Sequence, residues 1–203
     1  MVFGRKIVLR GVDIFAGCLS PAEQVALVED VRKIVAAAPL FVPETRWGKK
    51  MSVRMTSAGD FGWVSDRRGY RYEPYHPSGS SWPAIPERIL DIWMAVTGLS
   101  RTPDCCLVNW YSEKARMGLH QDKNEDDFSY PVVSISLGDD GLFRVGSVEP
   151  GEKTASYWLH SGDLCVLQGP ARLVHHGIDR IRFGSSSLLR NAGRLNLTLR
   201  IVT

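Results

Sequence analysis

Residues 119–127 read LHQDKNEDD, which sets His120 and Asp122 one residue apart at the head of an acidic run. On an extended strand, residues i and i+2 project to the same side, so an imidazole and a carboxylate would converge there. These are two of the three protein ligands of a 2-His-1-carboxylate site, which holds Fe(II) on one face and leaves positions open for chemistry. The second histidine must come from His76, His160, His175 or His176. His76 lies in a proline-rich stretch and His160 just before Gly162, so both read as surface residues. His175 and His176 are adjacent, and adjacent strand residues face opposite ways, so at most one can join the site. Spacing does not choose between them.

The final strand offers a partner for such a centre. In RLNLTLRI, Arg194, Asn196, Thr198 and Arg200 share one face, while Leu195, Leu197, Leu199 and Ile201 share the other. The polar side reads either as the wet face of an edge strand or as a cradle for a small dicarboxylate, because guanidinium forks pair bidentately with carboxylates. Asn109 and Tyr111 in LVNWY again lie on one side and could bond the same ligand.

The elements that must position these groups are legible from patterning. Ser20-Pro21-Ala22-Glu23 carries a cap, a first-turn proline and a capping-box glutamate ahead of QVALVEDVRKIVAAA, predicting a helix that ends before Pro39. A second helix is predicted over PERILDIWMAVTG, where Ile89, Ile92, Trp93 and Val96 share a face and Gly98 can end it. After Arg101 come short alternating runs, CLVNWY, PVVSISL, LFRVG, ASYWLH, DLCVLQG and RLNLTLRIV, separated by turn residues. The expected fold is α+β, mainly β: a sandwich or jelly roll with the helices packed outside one sheet.

At 203 residues and 44% apolar content, the chain suits one well-buried domain. No apolar run approaches the roughly eighteen residues of a membrane span, and MVFGRKIVLRG lacks the apolar core of a signal peptide. Cys18, Cys105, Cys106 and Cys165 show no CxxC spacing, so a cytoplasmic protein with reduced thiols is expected. Net charge is only +3, yet Arg46, Lys49, Lys50, Arg54, Arg67, Arg68 and Arg71 face only Asp60 and Asp66 in residues 46–71, a local excess of +5. That excess is either a solvated face or a phosphate-binding one.

Taken together, NWY, LHQDK, VSISLG, LVHHGI and RLNLTLR resemble, in order and approximate spacing, the motifs of the AlkB family of Fe(II)- and 2-oxoglutarate-dependent dioxygenases. With MSVRMT and GWVSDRRGYRYEP upstream, the resemblance covers roughly residues 45–203. It implies a double-stranded β-helix, or jelly roll, over about 101–203, a β-hairpin nucleotide-recognition lid within about 45–75, and a single dioxygenase domain over 1–203. The family pattern puts the last metal ligand directly before GI, selecting His176, so His120, Asp122 and His176 are the implied Fe(II) ligands. Arg194 and Arg200 would hold the carboxylates of 2-oxoglutarate, helped by Asn109, Tyr111 and Asn196. The implied reaction uses O2 and 2-oxoglutarate to hydroxylate an N-methyl group, which leaves as formaldehyde.

The implied substrate is a base such as 1-methyladenine or 3-methylcytosine in DNA or RNA, flipped from its stack. Such cationic rings pair poorly and suit aromatic faces. Trp63 and Tyr70 match the family's base-contacting lid, with Met55 on the strand before it; hairpin packing is the competing role. A departure lies at the position two after Asp122, commonly an aspartate that contacts the base, which is here Asn124. An amide can face the carbonyl of a neutral lesion, and Glu125 or Asp126 could substitute if the loop shifts. The competing functions are an Fe(II)/2-oxoglutarate hydroxylase of a protein or small molecule, or a nonenzymatic nucleic-acid-binding module. A monomer without membrane contact is expected.

Overall fold

The first half of the chain supplies the outer elements. In the computed structural model, which describes residues 4–203, these are β1 (Arg5–Leu9), β2 (Val12–Ala16), α1 (Pro21–Ala37), β3 (Arg54–Gly59), β4 (Gly62–Asp66), β5 (Gly69–Glu73) and α2 (Glu87–Thr97). Eight strands follow: β6 (Cys105–Tyr111), β7 (Met117–His120), β8 (Val132–Gly138), β9 (Asp140–Val145), β10 (Ala155–Leu159), β11 (Leu164–Leu167), β12 (His176–Arg182) and β13 (Arg194–Arg200). The eight divide equally between two antiparallel sheets. The larger sheet runs β1-β2-β11-β8-β13-β6-β3 and the smaller β10-β9-β12-β7. This is the double-stranded β-helix, a jelly roll widened by β1, β2 and β3 at the edges of its larger sheet.

Both expected helices form. Ser20 caps α1, with Glu23 reaching back to the cap backbone, and Gly98 ends α2 in the left-handed conformation at φ 69°. Their apolar faces meet the outer face of the larger sheet, where Leu27, Val31, Ile34, Ile89 and Trp93 join Leu195, Leu197 and Leu199 in one buried cluster. A second cluster, including Leu107, Val132, Phe143, Val145, Cys165 and Ile178, fills the space between the two sheets.

Two expectations change. The N-terminal hairpin β1–β2 was not among the expected strands, although Ile7 and Leu9 alternate on one side of Arg10-Gly11, and Val12 and Ile14 on the other. Arg10 and Gly11 make its turn with φ of 48° and 84°, and Gly11 is one of the few residues that adopts this without strain. The last strand is no wet edge: β13 lies between β6 and β8, and all seven of its residues are buried. One of its faces therefore packs on helices, while the other looks between the sheets. That second face is where the polar residues are.

Candidate active site

Pairing between β7 and β12 places the two histidines. His120 lies opposite His176 in the strand register, and their ring centroids are 4.6 Å apart. Gly177 makes this approach possible, because a Cβ there would sit 2.5 Å from the Met117 carbonyl oxygen and 2.6 Å from that of Gly118. Asp122 arrives differently from the i, i+2 expectation. Strand β7 ends at His120, so Asp122 lies beyond it in the following loop and is buried there. The loop turns inward because Arg172 Nη1 donates to the Asp122 carbonyl at 2.8 Å and Arg200 Nη2 meets Asp122 Oδ1 at 2.8 Å.

The three groups converge, with ligand atoms all within 4.8 Å of one another. His120 Nδ1 is 2.9 Å from the Gly118 carbonyl and His176 Nδ1 is 3.0 Å from that of Val174. A carbonyl only accepts, so each Nδ1 carries the hydrogen and each Nε2 presents a lone pair. Each Nε2 then lies 3.6 Å from an Asp122 oxygen, an acceptor facing an acceptor. A cation between them resolves that conflict, and carbonyl-oriented imidazoles are the usual arrangement around a bound metal. Burial pushes the His176 pKa down to about 4, so the ring is a neutral ligand base at neutral pH. Burial by itself would protonate Asp122, but the fixed positive charges of Arg200, foremost, and Arg172 hold its carboxyl well below the usual range.

Among the described residues, buried polar atoms without a hydrogen-bond partner include Asp122 Oδ2, Arg194 Nε, Arg200 Nε and Asn109 Oδ1. Such atoms cost about 1–3 kcal/mol each when left unmade, and all four belong to the residues expected to hold metal and cosubstrate. The residues fit a divalent metal bound by Asp122 Oδ2 with a small dicarboxylate nearby. Arg194 is wholly buried, donates to Ser136 Oγ at 2.8 Å, and occupies space that Gly141 leaves open. Asn196 Nδ2 donates to Ser134 Oγ at 2.7 Å, while Thr198 Oγ1 and Asn109 Nδ2 both approach Asn196 Oδ1. Tyr111 is buried opposite Arg194 in the register. Ser134 and Ser136 were not singled out in the sequence, although they are the polar positions of the apolar strand VVSISLG.

The other histidines have separate duties. His175 directs Nδ1 at the Ser147 carbonyl, 3.0 Å away. His160 pairs with Asp140 at 2.9 Å on the surface. His76 is a correction, since it is buried instead of exposed: it packs edge-on against Phe41 and Trp82, and both its ring nitrogens are hydrogen-bonded.

A cavity of about 510 Å³ opens above the three ligands. Met55, Trp63, Tyr70 and Asn124 line it along with His120, Asp122, His176, Arg194 and Arg200. Trp63 and Tyr70 stack on the β4–β5 hairpin with centroids 5.5 Å apart and planes 19° from parallel. Glu125 cannot stand in for Asn124 against a base. Its carboxylate is buried between Arg172, Arg200 and Tyr72. Tyr72 and Arg172 are thus site residues that the sequence did not single out, and Glu125, expected only as a stand-in for Asn124, joins them instead, since only the folded chain brings the three together. The basic segment is also less free than its composition implied, because Arg71 and Arg68 pair with Asp66, and Arg71 with Glu73 as well. Arg46, Lys49, Lys50, Arg54 and Arg67 remain exposed.

Comparison with known proteins agrees with this geometry. A family model described as the 2OG-Fe(II) oxygenase superfamily matches residues 11–200. The alpha-ketoglutarate-dependent dioxygenase AlkB homolog of Caulobacter vibrioides is 51% identical over 194 residues, covering 95% of this chain and 88% of its own. Alpha-ketoglutarate-dependent dioxygenase AlkB of Escherichia coli is 36% identical over 184 residues, covering 88% and 84%. The structure of OsALKBH1 superposes with a TM-score of 0.82 at 32% identity, covering 97% of this chain and all of that one. A prolyl-4-hydroxylase from Pseudomonas putida, at 14% identity and TM-score 0.55, shares the fold alone over 95% of this chain and 93% of its own. With its paired histidines, buried aspartate and arginine-lined cradle, the chain belongs to the 2OG-Fe(II) oxygenases and, among them, to the AlkB family of dioxygenases that use Fe(II), 2-oxoglutarate and O2.

Proposed function

We propose that this dioxygenase, whose family reaction is oxidative demethylation of nucleic acids, acts on N-alkylated bases of the 1-methyladenine and 3-methylcytosine type in DNA or RNA. The observation that carries this reading is the cavity itself, with His120, Asp122 and His176 in its wall and the stacked Trp63–Tyr70 pair on the hairpin that borders it. The space suits one flipped base, and a damaged base flips more readily than an intact one. His120 Nε2, Asp122 Oδ2 and His176 Nε2 would hold the iron. Arg194 with Tyr111, and Arg200 with Asn109 and Asn196, would hold 2-oxoglutarate. Bound together with O2, these supply the oxidation of the methyl carbon. The chain's own part is to orient the base on Trp63, to keep the methyl group toward the metal, and to exclude water through Met55 and the apolar lining. Release of formaldehyde then restores the base, a direct repair of alkylation damage.

The same reading makes the chain a monomeric cytoplasmic enzyme. Its four cysteines are free and buried, in keeping with a reducing compartment, and no described helix is long and apolar enough to cross a membrane. Of the exposed cations near the cavity, Arg67 at the hairpin tip has no acidic partner among the described hydrogen bonds and ion pairs, which favours a phosphate-facing role.

The direct test is mass spectrometry of an oligonucleotide carrying 3-methylcytosine, incubated with the protein, iron, ascorbate and 2-oxoglutarate. Loss of one methylene mass with matching formaldehyde is expected; turnover of 2-oxoglutarate with no change in any methylated oligonucleotide would redirect the reading to a protein or small-molecule substrate. The adjacent histidines give a sharper mutational contrast. His176→Ala should abolish binding of a divalent metal in calorimetry, whereas His175→Ala should retain it; equal loss in both would contradict the ligand assignment. Arg67→Ala should lower the salt dependence of oligonucleotide binding by roughly one in log–log slope, the contribution of one phosphate contact. An unaltered slope would make the hairpin tip a solvated face.

Asn124 bears on lesion choice. It lies exposed on the cavity wall, where an amide accepts from an exocyclic amino group more weakly than a carboxylate and does not offset a lesion's positive charge. Asn124→Asp should therefore favour 3-methylcytosine over 3-methylthymine by on the order of 1 kcal/mol in relative specificity. If the ratio of the two kcat/KM values stays the same, residue 124 does not read the base.

A further inference from the structure

The β4–β5 hairpin belongs to neither sheet of the jelly roll, yet one of its side chains reaches the metal-binding wall. Tyr72 on β5 donates its hydroxyl to Glu125 Oε1 at 2.5 Å and accepts from Arg200 Nη1 at 2.7 Å. Among the described residues, these are the hydrogen bonds that join a hairpin side chain to β6–β13 or to the loop carrying Asp122.

What Tyr72 touches is the frame that fixes Asp122. Arg200 Nη2 holds the Asp122 carboxylate and Arg172 Nη1 holds its main-chain carbonyl. Both arginines are tied in turn to the one carboxylate of Glu125, Arg172 at 3.2 Å and Arg200 at 3.4 Å. Two guanidiniums and two carboxylates thus form a closed, charge-balanced group with almost no solvent access. Asn124 lies between the two carboxylates in sequence, so the loop that meets the base is also the loop the frame holds. On the hairpin, Trp63 pairs with Tyr72 directly across the strands, so a base that displaces Trp63 moves the residue opposite Tyr72. Burial also raises the Tyr72 phenol well above its ordinary pKa, which keeps it a donor.

We infer that Tyr72 is a positioning residue: its hydroxyl links the base-facing hairpin to the Glu125–Arg200 pair, so that binding of a base to the hairpin is coupled to productive use of 2-oxoglutarate at Asp122. This rests on the roles given above to Asp122 and Arg200. The aromatic ring packs in the inter-sheet cluster, and the hydroxyl carries the coupling.

Tyr72→Phe removes the hydroxyl and keeps the ring. In the iron-loaded full chain, the KM for 2-oxoglutarate should rise about tenfold, as expected for loss of a hydrogen bond to charged groups, with kcat changed much less. Succinate should be formed in several-fold excess over demethylated base, against an expected one-to-one ratio in the wild type. In the metal-free protein, amide hydrogen exchange across residues 121–126 should quicken by more than the fall in global stability read from the urea midpoint accounts for. Unchanged KM, equimolar succinate and unchanged exchange would overturn the inference, as would a lower kcat that simply follows lost stability. Should Tyr72→Phe fail to fold, Glu125→Gln, which weakens the same link from its other side, is read by the same measurements and decides in the same way. If the wild type demethylates no base, the proposed function fails, and the exchange measurement on metal-free protein still decides the role of Tyr72.

Discussion

The site depends on keeping Asp122 ionised inside the protein. A buried carboxylate costs several kcal/mol unless a partner offsets its lost hydration. Arg200 is that partner at 2.8 Å, and it is equally buried, so it needs counter-charges of its own. Glu125 supplies the charge, the Tyr72 hydroxyl accepts a hydrogen bond from Arg200 Nη1, and Arg172 balances Glu125 in turn. The result is a rigid anionic ligand that offers Oδ2 to a cation while Oδ1 stays anchored. Preorganisation of this kind would place a metal without asking the loop to reorder on binding.

Strand β13 shows how one segment serves both stability and chemistry. Its leucines face the helices and its polar residues face the other sheet. A strand at the edge could shed such polar residues into water, but β13 is central, so each must find a partner inside. Ser134 and Ser136 on β8 and Asn109 on β6 supply some of these partners, and the unpaired Nε atoms of Arg194 and Arg200 mark where the protein's own supply stops. A dicarboxylate cosubstrate bound there, as proposed, would complete what the strand leaves open.

How far this was legible in the sequence follows from the range of the interactions. Period-two alternation exposed the two faces of β13, and capping chemistry exposed α1, because both are properties of a few consecutive residues. The candidate histidines are legible as types, but only family resemblance prefers His176 to His175; in the structure, the β7–β12 register sets His176 opposite His120, and Gly177 lets the two strands approach. Asp122 was expected on a strand and sits beyond its end, a change that no local pattern could announce. Tyr72, Glu125 and Arg172 lie 47 to 128 residues from their partners along the chain, and only the closed jelly roll brings them into contact. His76 was misplaced for a related reason: a proline-rich loop normally lies outside, but here Phe41 and Trp82 cover it.

A metal ion joining Asp122 through the unpartnered Oδ2 would leave Arg200 on Oδ1. The most direct measurement is a crystal structure of the protein with Mn(II) and 2-oxoglutarate, using anomalous scattering to locate the metal. A single peak bonded to His120 Nε2, His176 Nε2 and Asp122 Oδ2, with the cosubstrate carboxylates on Arg194 and Arg200 and the Arg200–Oδ1 contact intact, is the predicted result. A metal bound elsewhere, or one that displaces Arg200 from Asp122, would contradict it.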